Sequence, residues 1–233
     1  MLSLYPGNRK ELIRELKGLI YQNPVLAKED DPNAGWETAD EYLSGNVRQK
    51  LRIARIYAQN NPLFADNVEA LEKVQPKDLT APEISVKLGT TWIENEDYEQ
   101  FIYELLEIPE NNQRNYCTHI GHALKVERLD ADMSYHIDRG NFFGGTIRTR
   151  ETYGTRFMDA ISIIEELLNS RIVTIRDRVE EGEKIRYVVN RKETMLARDK
   201  AEQIKEAFRD WIFKEPERRK KYVDFYNETF NCD

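Results

Sequence analysis

Arginine is concentrated at two places in a chain that is acidic overall. The formal net charge is -7, yet residues 46–59 contain four basic residues and no acid. At 100° per residue, Arg48, Arg52 and Arg55 fall on one flank of a helix, beside an apolar side. Such a row can contact phosphates, so the local reversal of charge indicates an anionic partner. Alternatively, these arginines solvate the helix face or pair with carboxylates of a neighbouring helix.

Residues 140–156 form the second basic segment, and they are rich in glycine. Arg148, Arg150 and Arg156 stand there against one acid, Glu151. Glycine lets the backbone approach a partner closely, and the phenylalanine and tyrosine rings of the segment could stack on bases. The alternative is a turn whose rings reach the core.

Cys117, His119 and His122 are the residues that most resemble metal ligands. Their spacing differs from that of the usual zinc pairs. In an extended segment the first two share a face while His122 points the other way, so the set needs a distant fourth ligand. We therefore predict no metal site.

Motifs for catalysis or cofactor binding are missing from the sequence. It contains no GxxxxGK[ST] phosphate loop, no GxGxxG after a strand and no Asp/Asn-Pro-Pro-aromatic string of the kind expected at an adenine methylase site. Acidic pairs such as Glu165-Glu166 have no neighbouring base or nucleophile. We therefore expect a chain that is not an enzyme and has no cofactor.

The elements that would carry these residues are mostly helices. Ala197, Ala201, Ile204, Phe208 and Trp211 recur every three or four residues and predict a long helix packed lengthwise on another element. Short alternating runs predict β-hairpins. The predicted class is α+β, mainly helical, with short hairpins packed on helices and a possible winged-helix-like N-terminal part. We divide the chain into a mainly helical part, 1–109, and an α+β part ending in two helices, 110–233.

Composition excludes several classes of protein. No apolar run approaches the roughly 20 residues of a membrane span, and the N-terminus lacks the apolar core of a signal peptide. Two cysteines are too few for a disulfide framework. We expect a cytoplasmic protein without a membrane partner. The acidic total also argues against a protein that coats nucleic acid nonspecifically, although a local basic groove remains compatible with it.

Long strings in the sequence resemble one family. These are GWETADEYLSGNVRQKLRIA from Gly35, NVEALEKVQPKDLTAPEISVKLGTTWI from Asn67, TYGT from Thr152, NRKET from Asn190 and AFRDWIFKEPERR from Ala207. They resemble a segment of the very large fusion proteins of bacterial mobile elements and phages. In that family an adenine DNA methylase comes first, a Swi/Snf-type helicase later, and the similar segment lies between them. The likeness covers nearly the whole chain, with a gap around residues 110–150.

The resemblance implies a piece of a larger ATP-dependent helicase and DNA methylase. Combined with the basic segments, it predicts a non-catalytic domain that binds or positions DNA for the flanking modules. The predicted phosphate contacts are Arg48, Arg52, Arg55, Arg148, Arg150 and Arg156. The alternative is a structural connector that docks the methylase and helicase modules without contacting DNA. An independent nuclease is disfavoured, because no cluster of metal-binding carboxylates stands out.

Overall fold

The computed structural model describes residues 9–28, 30–31, 34–108, 124–129, 131–140, 146–181 and 184–232. These residues are mainly helical, with three antiparallel pairs of short strands, which confirms the predicted α+β class. They divide into two compact units. Unit 1 holds the described residues up to Ile84 and from Lys220 on, and unit 2 is Ser85–Arg219. The predicted boundary at 109/110 lies outside the described residues. None of the described helices has the apolar length that a bilayer crossing requires.

Unit 1 combines helices with one two-stranded sheet. Its elements are α1 (Arg9–Glu15), β1 (Ile20–Gln22), β2 (Trp36–Thr38), α2 (Ala39–Tyr42), α3 (Val47–Ala58), a 3-10 turn (Pro62–Phe64), α4 (Ala65–Lys73), a second 3-10 turn (Ala81–Glu83) and most of the last helix of the chain. Its core consists of apolar side chains from α2, α3 and α4, namely Tyr42, Val47, Leu51, Ala54 and Leu71. A winged-helix-like fold for this unit stays a prediction.

Helix α3 begins where Gly45 and Asn46 break away from α2. Both have positive φ, 57° and 52°, a conformation that glycine and asparagine adopt most readily. Lys50 of α3 then reaches back, and its Nζ donates to three main-chain carbonyls at or just after the end of α2, at 2.7 to 3.1 Å. The ammonium group thereby satisfies carbonyls that a helix end leaves without a partner.

Unit 2 holds the other two strand pairs and the longest helix. Its elements are α5 (Asn95–Leu106), β3 (Lys125–Arg128), β4 (Tyr135–Asp138), a π-helical turn (Arg148–Thr152), α6 (Ala160–Leu168), β5 (Arg176–Glu181), β6 (Lys184–Val189), α7 (Arg191–Ile212) and the start of α8 (Pro216–Thr229), which continues into unit 1.

Side chains of α5 and α6 occupy the two outer edges of the β3–β4 sheet. Glu99 of α5 accepts a main-chain N–H of β3 at 2.9 Å. On the other edge, Glu165 of α6 accepts the Ile137 N–H at 2.8 Å, and Asn169 both accepts from and donates to the main chain of Tyr135 at 2.8 Å. Each outer edge of this small sheet therefore has polar partners in place of a third strand.

Helix α7 packs against α5 along its predicted apolar seam. Ala197, Ala201, Ile204, Phe208 and Trp211 are all buried, which confirms that prediction. The Phe208 ring lies edge-on to Phe101 of α5, with centroids 5.1 Å apart, a geometry that aromatic pairs favour. The Trp211 Nε1–H donates to Glu104 of α5 at 2.7 Å, so the indole has a polar partner despite its burial.

Arg218 closes the C-terminal end of α7. Its Nε and Nη2 donate to the carbonyls of Ile212 and Trp211 at 3.1 and 2.9 Å, and its guanidinium lies 3.5 Å from the centre of the Trp211 ring. The side chain is nearly buried and also pairs with Glu215 at 3.0 Å. One residue thus combines a helix cap, a cation–π contact and an ion pair.

We expect Arg218→Lys to destabilise the protein by about 1–3 kcal/mol, because an ammonium group cannot reproduce the planar, forked donor set. The midpoint of urea unfolding measures the loss. The matched control is Arg219→Lys, since Arg219 also donates to carbonyls at this helix end but is exposed. Equal losses in both variants would contradict the role of the buried guanidinium.

Asp159 caps the N-terminus of α6 and binds Arg139. Its Oδ1 accepts the Ser162 N–H at 2.9 Å, and the guanidinium of Arg139 contacts both carboxylate oxygens. Burial raises the pKa of Asp159, but hydrogen bonds from Arg139 and Ser162 outweigh burial and hold the pKa below its ordinary value of 3.8. The charged carboxylate is therefore the form that the fold stabilises.

Because the folded pKa of Asp159 is depressed, its contribution to stability is present above pH 3.8 and is lost as pH falls through the folded pKa. We expect Asp159→Asn to unfold more easily at pH 7 and to lose less stability on acidification to about pH 3 than the parent. Urea unfolding at both pH values checks this. If the free energy of unfolding fell equally in both proteins between the two pH values, the carboxylate charge would contribute nothing to stability.

Candidate anion-binding cleft

The first predicted phosphate contact, Arg48, is held inside unit 1. Its guanidinium bonds to Asp78 at 2.6 Å and to the carbonyls of Pro76 and Asn231 at 3.0 and 2.8 Å. Only 18% of the side chain is exposed. Arg48 therefore ties α3 to the segment after α4 and to the end of the chain, which leaves little of it for an outside ligand.

The other two arginines of α3 form surface ion pairs. Arg52 binds Glu228 at 3.1 Å and Arg55 binds Glu72 at 2.8 Å, with more than half of each arginine side chain exposed. Exposed pairs of this kind contribute about 0–1 kcal/mol, so an incoming phosphate could replace the carboxylate at small cost. All three arginines of α3 nevertheless have acidic partners within the unit.

The second predicted trio lies in unit 2. Arg148 binds Glu107 at 2.6 Å and the Leu105 carbonyl at 3.2 Å, and so caps the C-terminus of α5. Arg150 is exposed and also has a partner in the structure. The Arg156 guanidinium lies 5.9 Å from the centre of an exposed phenylalanine ring. The two trios belong to different units, and their convergence on one groove stays a prediction.

Unit 2 contains a cleft of about 680 Å³ with a strongly basic lining. Among the described residues that line it, the cations are Lys87, Arg171, Arg198, Lys205 and Arg209, and the one acid is Glu202. The other lining residues are small or apolar: Ser85, Val86, Leu88, Leu167, Ser170, Ile172, Val173 and Ala201. Five positive groups beside apolar side chains in one cleft, in a chain of net charge -7, favour an anionic ligand.

Helix α7 supplies one wall of the cleft. Its charged lining residues, Arg198, Glu202, Lys205 and Arg209, each stand one position after a buried residue of the seam. A step of one residue rotates the side chain by 100°, from the core to the rim of the buried face. The seam therefore sets the direction in which these charges point.

The remaining contacts leave a positive excess in the cleft. Lys205 pairs with Glu202 at 2.8 Å, Arg171 lies 4.0 Å from Glu166, and the Arg198 Nε donates to a main-chain carbonyl at 3.0 Å. Within the described ranges, neither Lys87 nor Arg209 has a carboxylate within ion-pair distance. These two exposed side chains come from different segments of the lining, and they are the cations of the cleft with the fewest partners.

Residues 85–88 also line the cleft, and Gly89, which follows them, lies against the end of α6. Ile84, Val86 and Leu88 are buried, and Ser85 and Lys87 between them are exposed. This alternation predicts a short strand, but the structure has no strand at these described residues. Gly89 has φ +83°, and an added Cβ would lie 2.0 Å from the Leu168 carbonyl oxygen. Only glycine therefore permits this close approach.

Cys117, His119 and His122 lie outside the described residues. In the part of the chain that the structure describes, no three His, Cys, Asp or Glu side chains are grouped to hold a metal ion. The cleft itself offers one carboxylate, already paired with a lysine, and that is a poor donor set for a divalent cation.

A family described as Domain of unknown function (DUF8437) matches residues 87–232. The chain belongs to the DUF8437 family. Neither a curated protein nor a solved structure matches it. All five cations of the cleft lie in the DUF8437 range, whereas Arg48, Arg52 and Arg55 precede it.

Sequence reasoning did not find the cleft, although α7 carried a signal for three of its cations. Arg198, Lys205 and Arg209 follow the predicted seam at a constant offset of one residue. Lys87 falls on the exposed side of an alternating run. Arg171 has no comparable pattern around it, because its place depends on how the chain leaves α6.

We expect Gly89→Ala to destabilise the protein by more than about 2 kcal/mol, through strain at positive φ and the clash with Leu168. Gly18→Ala is the matched control, because Gly18 also has φ +83° but an added Cβ there meets no atom within 4 Å. The control substitution should lower the free energy of unfolding by about 1 kcal/mol. Urea midpoints compare the two, and equal effects would contradict the close approach.

Proposed function

We propose that this chain is a non-catalytic domain that binds DNA by its phosphates, in the basic cleft of unit 2, and positions it for other modules of a larger protein. The observation that supports the proposal is that the described lining of a single concave site holds five cations and one acid. Phosphate contacts dominate the affinity of proteins for DNA, and they position the duplex or strand without reading its sequence.

The length of the basic wall suits a nucleic-acid backbone. Arg198 and Arg209 are eleven residues apart on α7, which corresponds to about 16 Å along the helix axis. One DNA strand carries a phosphate about every 3.4 Å of duplex axis, so this wall spans several phosphates. In the part of the chain that the structure describes, no aromatic side chain lines the cleft. Base stacking is therefore absent from the proposed binding mode, and we expect little sequence preference.

The resemblance to methylase-helicase fusions gives the proposal its context. A domain between those two modules would be well placed to hold the DNA on which both act. In this proposal the flanking methylase and helicase are partners of the chain, and their cofactors belong to them.

Charge reversal at Arg209 tests the proposal. We expect Arg209→Glu to lower affinity for DNA about tenfold at low salt and to make the dependence of log K on log salt shallower by about 1–2. Fluorescence anisotropy with labelled duplex and single strands, at several salt concentrations, measures both quantities. Lys87→Glu, in another segment of the lining, should lower the affinity and the salt dependence in the same way.

Lys192→Glu is the matched control for net charge. Lys192 is exposed on the same helix but does not line the cleft, and its reversal changes the net charge by the same two units. We expect it to lower affinity much less than Arg209→Glu. If both variants lost affinity equally, binding would depend on the net charge of the protein and not on the cleft. If the parent protein did not bind DNA at low salt, the proposed DNA-binding function would be wrong.

A connector that docks the flanking modules without contacting DNA is the second candidate. The internal ion pairs of Arg48, Arg52, Arg55 and Arg148 favour it, because these predicted phosphate contacts already have acidic partners. Gel filtration of the chain with separately purified methylase and helicase modules tests this function. Complex formation together with no DNA binding would support the connector.

A further inference from the structure

The β5–β6 hairpin carries apolar side chains that face solvent. Ile185, Tyr187 and Val189 are 51%, 67% and 46% exposed. They alternate along β6, so they share one face of the hairpin. A soluble protein rarely leaves such a group of neighbouring apolar side chains uncovered unless the surface binds a partner.

The two strands of this hairpin differ in how their free edges are protected. Strand β5 reads RDRVEE, and five of its six residues are charged; β6 reads KIRYVV, with two charges. Charged residues on an edge strand discourage pairing with another chain. The edge of β5 is therefore protected by charge, whereas that of β6 is open to strand addition.

The alternation of hydrogen bonds between β5 and β6 shows which residues of β6 direct their main-chain groups away from β5. The Asn190 N–H donates to the Ile175 carbonyl at 2.9 Å, next to the β5–β6 ladder. Because antiparallel pairs alternate, Ile185, Tyr187 and Val189 direct their main-chain N–H and C=O groups away from β5. Among the described residues, none outside the hairpin hydrogen-bonds to these groups.

We propose that the outer edge of β6 binds β6 of a second copy of this chain, antiparallel, across a two-fold axis at Tyr187. In that register Ile185 lies opposite Val189 of the second copy, and Arg186 lies opposite Val188. All three outward N–H groups of each copy then meet carbonyls of the other. The apolar side chains of both copies form one continuous face.

The sequence of β6 selects this register over its neighbours. Centring the axis on Arg186 would place two guanidinium groups directly opposite each other, which is destabilising. It would also pair only two of the three outward residues. Centring it on Val188 leaves the groups of Ile185 without partners. Because β6 is complementary to itself when the axis lies at Tyr187, a second copy of the chain is favoured over an unrelated strand. This proposal does not depend on the proposed binding of DNA.

Sedimentation equilibrium of the full chain from about 1 to 200 µM tests the proposal, because self-association depends on concentration. We expect a monomer–dimer equilibrium. Tyr187→Lys, which would place two ammonium groups opposite each other, should weaken the dimer at least tenfold. Tyr187→Phe should leave it intact, and circular dichroism should be unchanged in both variants, since Tyr187 is exposed.

Disulfide formation between introduced cysteines tests the proposed register. In a Cys117→Ser/Cys232→Ser background, Tyr187→Cys should form a disulfide-linked dimer on mild oxidation, because opposite Cα atoms in such a pair lie about 5.5 Å apart. Ile185→Cys alone should not, since its two copies would lie about 13 Å apart along the strands. A mixture of Ile185→Cys and Val189→Cys proteins should give the mixed disulfide.

Three results would overturn the proposal. The first is a monomer at every concentration, and the second is a dimer that Tyr187→Lys does not weaken. The third is a β6 edge whose amides become protected from hydrogen exchange only when a flanking module is added, which would assign the edge to that module.

Discussion

The packing of α7 against α5 is the constraint on which most of unit 2 depends. Phe208 and Trp211 meet Phe101 at ring-centroid distances of 5.1 and 5.4 Å, and the indole N–H reaches Glu104. These contacts stabilise the core and also fix the rotation of α7 about its axis. A rotation by one residue, 100°, would bury the charges of the cleft and expose the seam. The same contacts therefore hold the fold together and direct its cations.

Regular periodicity was the part of the fold that the sequence predicted well. The seam of α7 agrees with the structure, in which all five of its residues are buried. The start of α6 differs from what the local residue types predict. A threonine before an apolar run, here Thr155 before Phe157 and Ile161, predicts a helix cap and a buried phenylalanine. In the structure the Thr155 Oγ1 accepts the N–H groups of Phe157 and Met158 in a local turn. The helix begins only after Asp159, and Phe157 is 52% exposed.

The candidate site was less predictable, because it depends on contacts between distant parts of the chain. The sequence placed Arg48, Arg52 and Arg55 on one flank, but it could not show that acids such as Asp78 and Glu228 would meet them. The cleft is difficult to predict from the sequence for the same reason. Its walls come from residues 85–88, 167–173 and 198–209. The first and the last carry a periodic signal in the sequence, but no local pattern shows that the three segments meet.

Because its walls come from three distant segments, the cleft exists only when unit 2 is folded. A ligand that binds there acts on the folding equilibrium by mass action, adding about 2.7 kcal/mol at a hundredfold excess over its dissociation constant. Local opening of the segment at Gly89 or of the chain after α6 would abolish the site before the whole unit unfolds. The thermal resistance of this acidic protein would then depend on the polyanions around it, as well as on its own packing.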